Sequence, residues 1–451
     1  MPRTVRLVTL GCKVNQYETQ YVKELLEHAG YVEAGDAAPA DLCVVNTCTV
    51  THEGDAKSRQ AIRRLAAENP GTPLVVMGCY ASRDPEALAA LPGVRHVIPD
   101  KSRLVEELQP YGVLEPLPGI SRFDGHQRAF VKVQDGCLLN CSYCIIPSVR
   151  PVVRSRPAEE IVAEVARLVE AGYREIVLTG IHLGHYGIDL SKGRPKAQWT
   201  RLWHLLDRLT ALPGDFRVRL SSLEAAEARD DLLRAMQNPK ICPHLHLCLQ
   251  SGSDRILRAM KRRYSATGYL ERVRRIHAAM DQPAISTDVI VGFPGETDAD
   301  FHETLRVVRE SRLMRVHVFS YSLRAGTLAA SQYRDDVPPS TKAARREQLR
   351  QLERELAQSY AQSLIGRTLD VLVEGAVEAQ PEMARGTACR YVEVRFPGFR
   401  PELVRQRVDV VVHQAHEGIL YGEALPHSAQ RSPLSRSPRP AGPFPLPLAS
   451  G

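Results

Sequence analysis

The chain has 451 residues, 43% of them hydrophobic and 25% charged, with a net charge of +7. That length exceeds one ordinary domain and predicts two or three. No apolar run approaches the ~20 residues of a membrane span, and the N-terminus lacks a signal-peptide pattern; a pI near 8.9 is compatible with a polyanionic partner without establishing one.

Three segments near the N-terminus share one plan. Arg6-Leu7-Val8-Thr9-Leu10-Gly11 leads to Cys12, Asp41-Leu42-Cys43-Val44-Val45-Asn46-Thr47 to Cys48, and Pro73-Leu74-Val75-Val76-Met77-Gly78 to Cys79. Each short apolar run reads as a buried parallel strand. Helices are predicted after them at about 16–29, 54–68 and 84–91. Such alternation forms an open α/β sheet, whose ligands gather beyond the carboxyl ends of the strands. All three cysteines then emerge on one edge, which suits a three-thiolate iron–sulfur cluster with one iron left open. A lone cysteine is more often a small core residue. Cys43, in mid-strand, is expected to be one; Cys242, Cys248 and Cys389 lack ligand spacing and are expected to be structural too.

From about residue 128 strands and helices alternate again. Strands are predicted at 129–134, 174–179, 216–221, 244–249, 284–291 and 314–320, with helices at 157–171, 199–210, 228–237, 253–261, 266–279 and 297–310. Six β/α units fit a (β/α)6 partial barrel, with functional groups at the carboxyl ends of its strands. The first strand runs into Gly136-Cys137-Leu138-Leu139-Asn140-Cys141-Ser142-Tyr143-Cys144. The spacing is C-x3-C-x2-C, with no nearby fourth Cys or His. Thiolates hold iron–sulfur clusters, usually four to a cluster. Three close together point to a 4Fe–4S cluster whose open iron can bind a small molecule. A zinc knuckle is the alternative, but structural zinc takes four Cys or His ligands. Clustered thiolates indicate a reducing cytoplasm rather than a disulfide framework.

Other predicted strand ends carry Thr179-Gly180, Ser221-Ser222-Leu223-Glu224, Gln250-Ser251-Gly252 and Gly292-Phe293-Pro294-Gly295. Their recurrence on one barrel face favours a cofactor site, where glycine lets backbone approach a ligand. Residues 254–275 hold eight Lys and Arg against two acids, which reads either as a solvated helix face or as an RNA contact. A polar helix at 342–360 leads to a last folded module at about 366–425. Its alternating runs 369–373, 391–396 and 408–412 suggest a small antiparallel β-barrel. That module is not basic, so RNA contacts there would fall to placed arginines such as Arg385, Arg390 or Arg395. From Pro426 onward seven prolines and no acid predict a disordered tail.

Tyr143 before the last cysteine, with the spacing of Cys137, Cys141 and Cys144, resembles the radical S-adenosylmethionine superfamily. Both triplets in this order resemble its methylthiotransferases, over about residues 3–425. Thr9-Leu10-Gly11-Cys12-Lys13-Val14-Asn15-Gln16-Tyr17-Glu18-Thr19, Val45-Asn46-Thr47-Cys48-Thr49-Val50-Thr51 and Lys57-Ser58-Arg59-Gln60 look like the subfamily acting on N6-threonylcarbamoyladenosine in tRNA. His246-Leu247-Cys248-Leu249-Gln250-Ser251-Gly252-Ser253-Asp254 fits as well. Where the family often reads Arg-Gly-Pro after the cysteine loop, this chain has Arg150-Pro151-Val152.

The resemblance implies an α/β chain in four parts: a methylthiotransferase domain over 1–115, a radical barrel over 123–360, a TRAM β-barrel over 366–425 and the tail over 426–451. It implies two 4Fe–4S clusters, on Cys137/Cys141/Cys144 and on Cys12/Cys48/Cys79, with contacts to S-adenosylmethionine from Tyr143, Thr179, Gly180, Ser222, Glu224, Gln250 and Gly292. The first cluster would reduce S-adenosylmethionine, the deoxyadenosyl radical would take hydrogen from C2 of the adenine, and the second cluster would present sulfur. A second S-adenosylmethionine would give the methyl group. Implied partners are the tRNA anticodon arm, an electron donor such as flavodoxin or ferredoxin, and a sulfur source, for a cytoplasmic monomer. Two other readings stand beside this one. One is a sibling methylthiotransferase acting on isopentenyladenosine or on a ribosomal protein aspartate; the other is a non-catalytic RNA-binding protein with structural clusters.

Overall fold

In the computed structural model, residues 2–35 and 38–426 are described; the tail expected from Pro426 lies outside them but for its first residue. The N-terminal unit contains β1 (Arg3–Thr9), α1 (Lys13–His28), β2 (Tyr31–Glu33), β3 (Leu42–Thr47), α2 (His52–Glu68), β4 (Leu74–Gly78), α3 (Cys79–Arg83), α4 (Pro85–Ala89), β5 (Val94–Val97) and α5 (Leu104–Glu107). Its sheet has the order β2-β1-β3-β4-β5, parallel throughout. β3 and β4 are buried along their whole length, in keeping with their mainly apolar runs; the polar Asn46 and Thr47 that end β3 are held by hydrogen bonds. The helix expected at 84–91 is the shorter α4, and α3 precedes it unexpected: Asp84 ends α3 and caps α4, and Pro85 takes the first position of α4.

The central unit follows as β6 (Ala129–Asp135), α6 (Ile146–Val149), β7 (Arg154–Ser155), α7 (Ala158–Glu170), β8 (Glu175–Gly180), α8 (Leu202–Thr210), β9 (Arg217–Leu220), β10 (Ser222–Glu224), α9 (Asp230–Ala235), β11 (His244–Cys248), α10 (Asp254–Ala259), α11 (Ala266–Ala279), β12 (Ala284–Val291), α12 (Asp298–Glu310), β13 (Arg315–Ser320) and α13 (Leu328–Gln332). Two four-stranded sheets, β7-β6-β8-β9 and β10-β11-β12-β13, join through the β9–β10 run and a Val218–Ile241 bridge. The six parallel strands of the expected partial barrel are therefore present. Val131, Val133, Ile176, Leu178, Val218 and Leu220 pack outward with the apolar faces of α7 and α8 into the main core. The alternate residues face inward and are mostly polar.

α14 (Pro339–Gln362) leads to β14 (Thr368–Val377), β15 (Gln380–Ala388), β16 (Glu393–Pro397), β17 (Arg407–His416) and β18 (Ile419–Ala424), a closed barrel in the order β14-β15-β16-β18-β17. This small barrel stoppers the amino-terminal end of the central one. Arg217 donates to the Asp370 and Thr387 carbonyls (2.7 and 2.9 Å), and Arg219 to those of Cys389 and Ala388 (3.0 and 3.1 Å). Both arginines pair with the fully buried Glu175, so the charges are neutralised where they are desolvated. The opposite, carboxyl-terminal end of the strands is left for ligands.

Candidate functional site

Each N-terminal cysteine stands where a strand of the first sheet ends. Cys12 follows β1 and caps α1, Cys48 follows β3, and Cys79 opens α3 after β4. Gly11 and Gly78 immediately precede two of them at φ +104° and +100°, a region L side chains avoid. A Cβ on Gly11 would meet Cys48 Cβ at 3.0 Å, and one on Gly78 would lie 2.4 Å from Thr47 backbone. The strand ends are thus pressed together, and glycine alone permits it. Burial pushes the Cys48 thiol up, and Cys79 and Cys12 are close enough to add to the shift.

The second set lies on the loop after β6. Cys137 N–H donates to the Arg150 carbonyl (3.3 Å), closing the loop, while Gly136 passes so near Val152 that a Cβ would be 2.0 Å from its carbonyl oxygen. The Arg150-Pro151-Val152 turn therefore places its close approach on Gly136. Leu139 N–H donates to Cys137 Sγ (3.4 Å). Burial raises the Cys144 thiol to about 12, with Cys141 and Cys137 as neighbours. Among the described residues, the ligand groups with all donor atoms within 4.8 Å of one another are His182/His185/Glu227 and His246/Asp288/His317. Neither cysteine triplet is that tight. One zinc ion at about 2.3 Å from each sulfur would require it; thiolates on three separate irons of a cluster do not. Three thiol donors suit a 4Fe–4S cluster in both places.

The two cysteine sets face each other. Cys79 packs against Ile145 and Val149 of the second loop. Arg150, buried between them, donates through Nε to Cys79 Sγ (3.3 Å) and through its terminal nitrogens to Glu18 (2.8 Å), Asp135 (2.8 Å) and Asn15 (3.1 Å). Lys132 completes the network with Glu18 (2.7 Å) and Asp135 (2.5 Å). Burial pushes the Glu18 carboxyl up, but Arg150 and Lys132 outweigh it and hold it well below the usual carboxylate range. A second buried arginine ties the Cys48 loop to the barrel: Arg324 bonds Thr49 and pairs with Asp55 (2.7 Å), which also takes Arg83 (2.7 Å).

Around the second set, Arg262 donates to Cys141 Sγ (3.1 Å) through one terminal nitrogen and to both Glu224 carboxylate oxygens through the other. Its position inside the basic run at 254–275 gave no hint of this. His182 meets Cys137 Sγ at 3.6 Å and Glu227 at 2.5 Å. Burial pushes that imidazole down, yet those two contacts lift it to about 9. Cys141, His182, Glu224, Glu227, Arg262 and Tyr264 help line a cavity of about 350 Å³, within the range of small-molecule sites.

Of the other residues expected to contact a cofactor, Glu224 lines that cavity. Tyr143 packs with Phe293 and Tyr321 and lies 3.4 Å from Arg262. Thr179 and Gly180 end β8, with Gly180 against Gln134. Ser222 is exposed on β10, and the neighbouring Ser221 hydroxyl is buried with no partner among the described residues. Gln250 is buried at φ 66° and bridges Val289. Gly292 is committed to structure: its N–H donates to Glu296 (2.6 Å), and Lys342 fills the space beside it. Cys43 and Cys242 are buried as expected, whereas Cys248 faces Asp288 (3.8 Å) inside the barrel.

The Radical SAM superfamily matches residues 131–308, and the family described as Uncharacterized protein family UPF0004 matches residues 4–99. The threonylcarbamoyladenosine tRNA methylthiotransferase MtaB of Chlamydia pneumoniae is 38% identical over 94% of this chain and 98% of its own length. This chain belongs to the radical SAM methylthiotransferase family. The MtaB enzyme of Bacillus subtilis is also 38% identical, over 88% of this chain and 90% of that protein. A tRNA-2-methylthio-N(6)-dimethylallyladenosine synthase of Desulfitobacterium hafniense is 34% identical over 94% and 98%. Among solved structures, the radical S-adenosylmethionine methyltransferase TsrM of Kitasatospora setae superposes with a TM-score of 0.55 at 14% identity, covering 73% of this chain and 75% of that one. That likeness concerns the fold. Membership makes this chain an enzyme that uses S-adenosylmethionine and a 4Fe–4S cluster. No helix among the described residues is long and apolar enough to cross a membrane.

Proposed function

We propose that this methylthiotransferase replaces the C2 hydrogen of N6-threonylcarbamoyladenosine, beside the tRNA anticodon, with a methylthio group, and that it holds two 4Fe–4S clusters to do so. One observation carries the reading: two three-cysteine sets confront each other across Arg150 and the Cys79–Ile145–Val149 contact. The C–H bond at C2 is unactivated, so no side-chain acid or base can exchange it for sulfur. A reduced cluster with S-adenosylmethionine supplies the radical chemistry, and a sulfur-bearing second cluster supplies the group transferred.

The chain's own residues do the rest. Cys137, Cys141 and Cys144 would hold one cluster; Arg262 and His182 stand against the Cys141 and Cys137 sulfurs, where their N–H groups would favour a reduced state. Cys12, Cys48 and Cys79 would hold the other. Arg150 and Arg324 fix the distance between them, so that the adenine enters a gap of set width. Glu224 and Glu227 line the cavity proposed for S-adenosylmethionine and offer carboxylates to its amine and ribose hydroxyls. Exposed Lys261 and Arg263 at the rim of that cavity, near Cys141, suit an acidic electron donor such as flavodoxin or ferredoxin.

The tRNA is reached as a loop, whose bases splay out of the stack. Of the three TRAM arginines named from sequence, Arg390 bonds the Gln282 and Asp281 carbonyls and Arg395 pairs with Glu393, leaving Arg385 exposed for phosphate. The enzyme acts as a cytoplasmic monomer, with its sulfur donor supplied from solution. Mass spectrometry of tRNA nucleosides from a strain lacking the gene tests the assignment. The 2-methylthio derivative of threonylcarbamoyladenosine should vanish while its unthiolated precursor accumulates; an unchanged profile refutes it.

A further inference from the structure

Inside the barrel, β11, β12 and β13 turn one face inward: His244, His246 and Cys248; Ser286 and Asp288; Arg315, His317 and Phe319. The register sets His246 opposite Ser286 and Asp288 opposite His317. His246 contacts Asp288 (3.1 Å) and Ser286 (3.0 Å), and its ring centroid lies 5.7 Å from that of His317. Asp288 is the acid facing this group and is already held by His246. Glu175, deeper in the barrel, is saturated by Arg217 and Arg219.

Into this space comes one residue from the N-terminal unit. Lys13 directly follows the cluster ligand Cys12 at the start of α1. Its ammonium stands 6.0 Å from the Phe130 ring centroid on β6; burial lowers the basicity of His317 and His244, and Lys13 is near enough to add a small part to both. It is half-buried, and among the described residues it forms no ion pair or hydrogen bond. Most of the other inward-facing charges in this barrel have partners: Lys132 has Glu18 and Asp135, Arg219 has Glu175, and Arg150 has Glu18. A half-buried cation held without a counter-charge is a receptor for an anion that arrives with the substrate. Phe319, 49% exposed two residues beyond His317, offers a flat apolar surface to a base.

We propose that Lys13, with His246 and His317 across from it, is the subsite for a carboxylate carried on the N6 substituent of the target adenine. On the function proposed above, that carboxylate is the one ending the threonylcarbamoyl group. A hydrocarbon substituent would leave the ammonium desolvated and unpaired, so the same residues reject an isopentenyl group. Lys13 is a specificity residue: it meets the carboxylate of the N6 substituent and not the reacting C2.

The test uses the full-length enzyme with reconstituted clusters and two anticodon stem-loop RNAs. One carries threonylcarbamoyladenosine, the other the same nucleoside with its carboxylate converted to the primary carboxamide. Kd by fluorescence anisotropy and kcat/KM for methylthiolation are measured for both. The parent enzyme should prefer the acid by about 30-fold or more, the range expected for a desolvated charge pair. Lys13→Gln should reduce that ratio to near one, and Lys13→Arg should restore part of it. His317→Gln, outside both cysteine triplets and not adjacent to them in sequence, should narrow the ratio several-fold and serves if Lys13→Gln loads its clusters poorly. A parent enzyme that treats acid and amide alike overturns the subsite while leaving the function standing. Variants that keep the parent's ratio overturn the assignment of Lys13 and His317. A parent enzyme inert on both RNAs overturns the function and the subsite together.

Discussion

Arg150→Ala removes a buried side chain that joins Cys79, Glu18 and Asn15 of the N-terminal unit to Asp135 of the barrel. It strips Glu18 and Asp135 of their guanidinium, Asn15 of a donor and Cys79 Sγ of an N–H at 3.3 Å. Breaking a buried ion pair from one side costs about 3–5 kcal/mol, because the partner is left charged and desolvated. Lys132 remains at 2.7 Å from Glu18, so the cost should fall near the lower end, about 3 kcal/mol. Glu18→Gln removes that stranded charge. The double variant should then recover about 1–2 kcal/mol relative to the sum of the singles, as contacting groups in one network do. Urea denaturation of the cluster-free proteins, followed by circular dichroism, reads the difference as midpoint shifts at constant slope. The network also sets an acid limit. Glu18 and Asp135 have folded pKa values depressed by Arg150 and Lys132 against burial. Their contribution is fully present above the unfolded carboxylate range near 4 and is lost as pH falls through the folded values. Parent stability should therefore decline below about pH 4, and less steeply in the double variant. Additive single and double effects, within about 0.5 kcal/mol, would refute the network argument.

Three further outcomes follow from the site. Replacing Cys137, Cys141 and Cys144 with Ala should cut reconstituted iron from about eight atoms per chain to about four, one cluster's worth, and a full iron load in that variant contradicts the assignment. Cys48→Ala should keep reductive cleavage of S-adenosylmethionine and lose sulfur insertion; loss of cleavage in a folded variant contradicts the division of labour. Arg385→Glu should weaken tRNA binding severalfold and flatten its salt dependence by about one phosphate contact. It is a cleaner probe than deleting the small barrel, because deletion would expose Arg217, Arg219 and Glu175 at the end it stoppers.

Much of this architecture was legible in the chain, and the reasons are local. Short, mainly apolar runs ending in Cys announced the buried parallel strands, because a strand covered on both faces is built largely from apolar residues. C-x3-C-x2-C is a short-range signal that survives without any knowledge of the fold. The start of α1 was missed by three residues, since Cys12 caps it without the side-chain hydrogen bond that a Ser or Asp would advertise. Edge strands Tyr31–Glu33 and Val94–Val97 were too short to register. In the small barrel, Gln380–Ala388 was hidden by its polar start. The unread part of the site is long-range. Arg150 and Cys79, 71 residues apart, meet only when two units dock. His246, Asp288 and His317 become neighbours only through strand register. Arg262 looked like one more cation in a basic run until its burial beside Cys141 distinguished it.

The most direct trial of the central claim is a single-turnover assay. Anaerobically reconstituted enzyme is given S-adenosylmethionine, a reductant and sulfide, with anticodon stem-loops bearing threonylcarbamoyladenosine, isopentenyladenosine or plain adenosine. Nucleoside mass spectrometry reads the products. The account predicts a methylthio group at C2 of the threonylcarbamoyl substrate, with 5′-deoxyadenosine formed alongside it, and little or none on the other two. Equal methylthiolation of plain adenosine, or preferential methylthiolation of isopentenyladenosine, would contradict it.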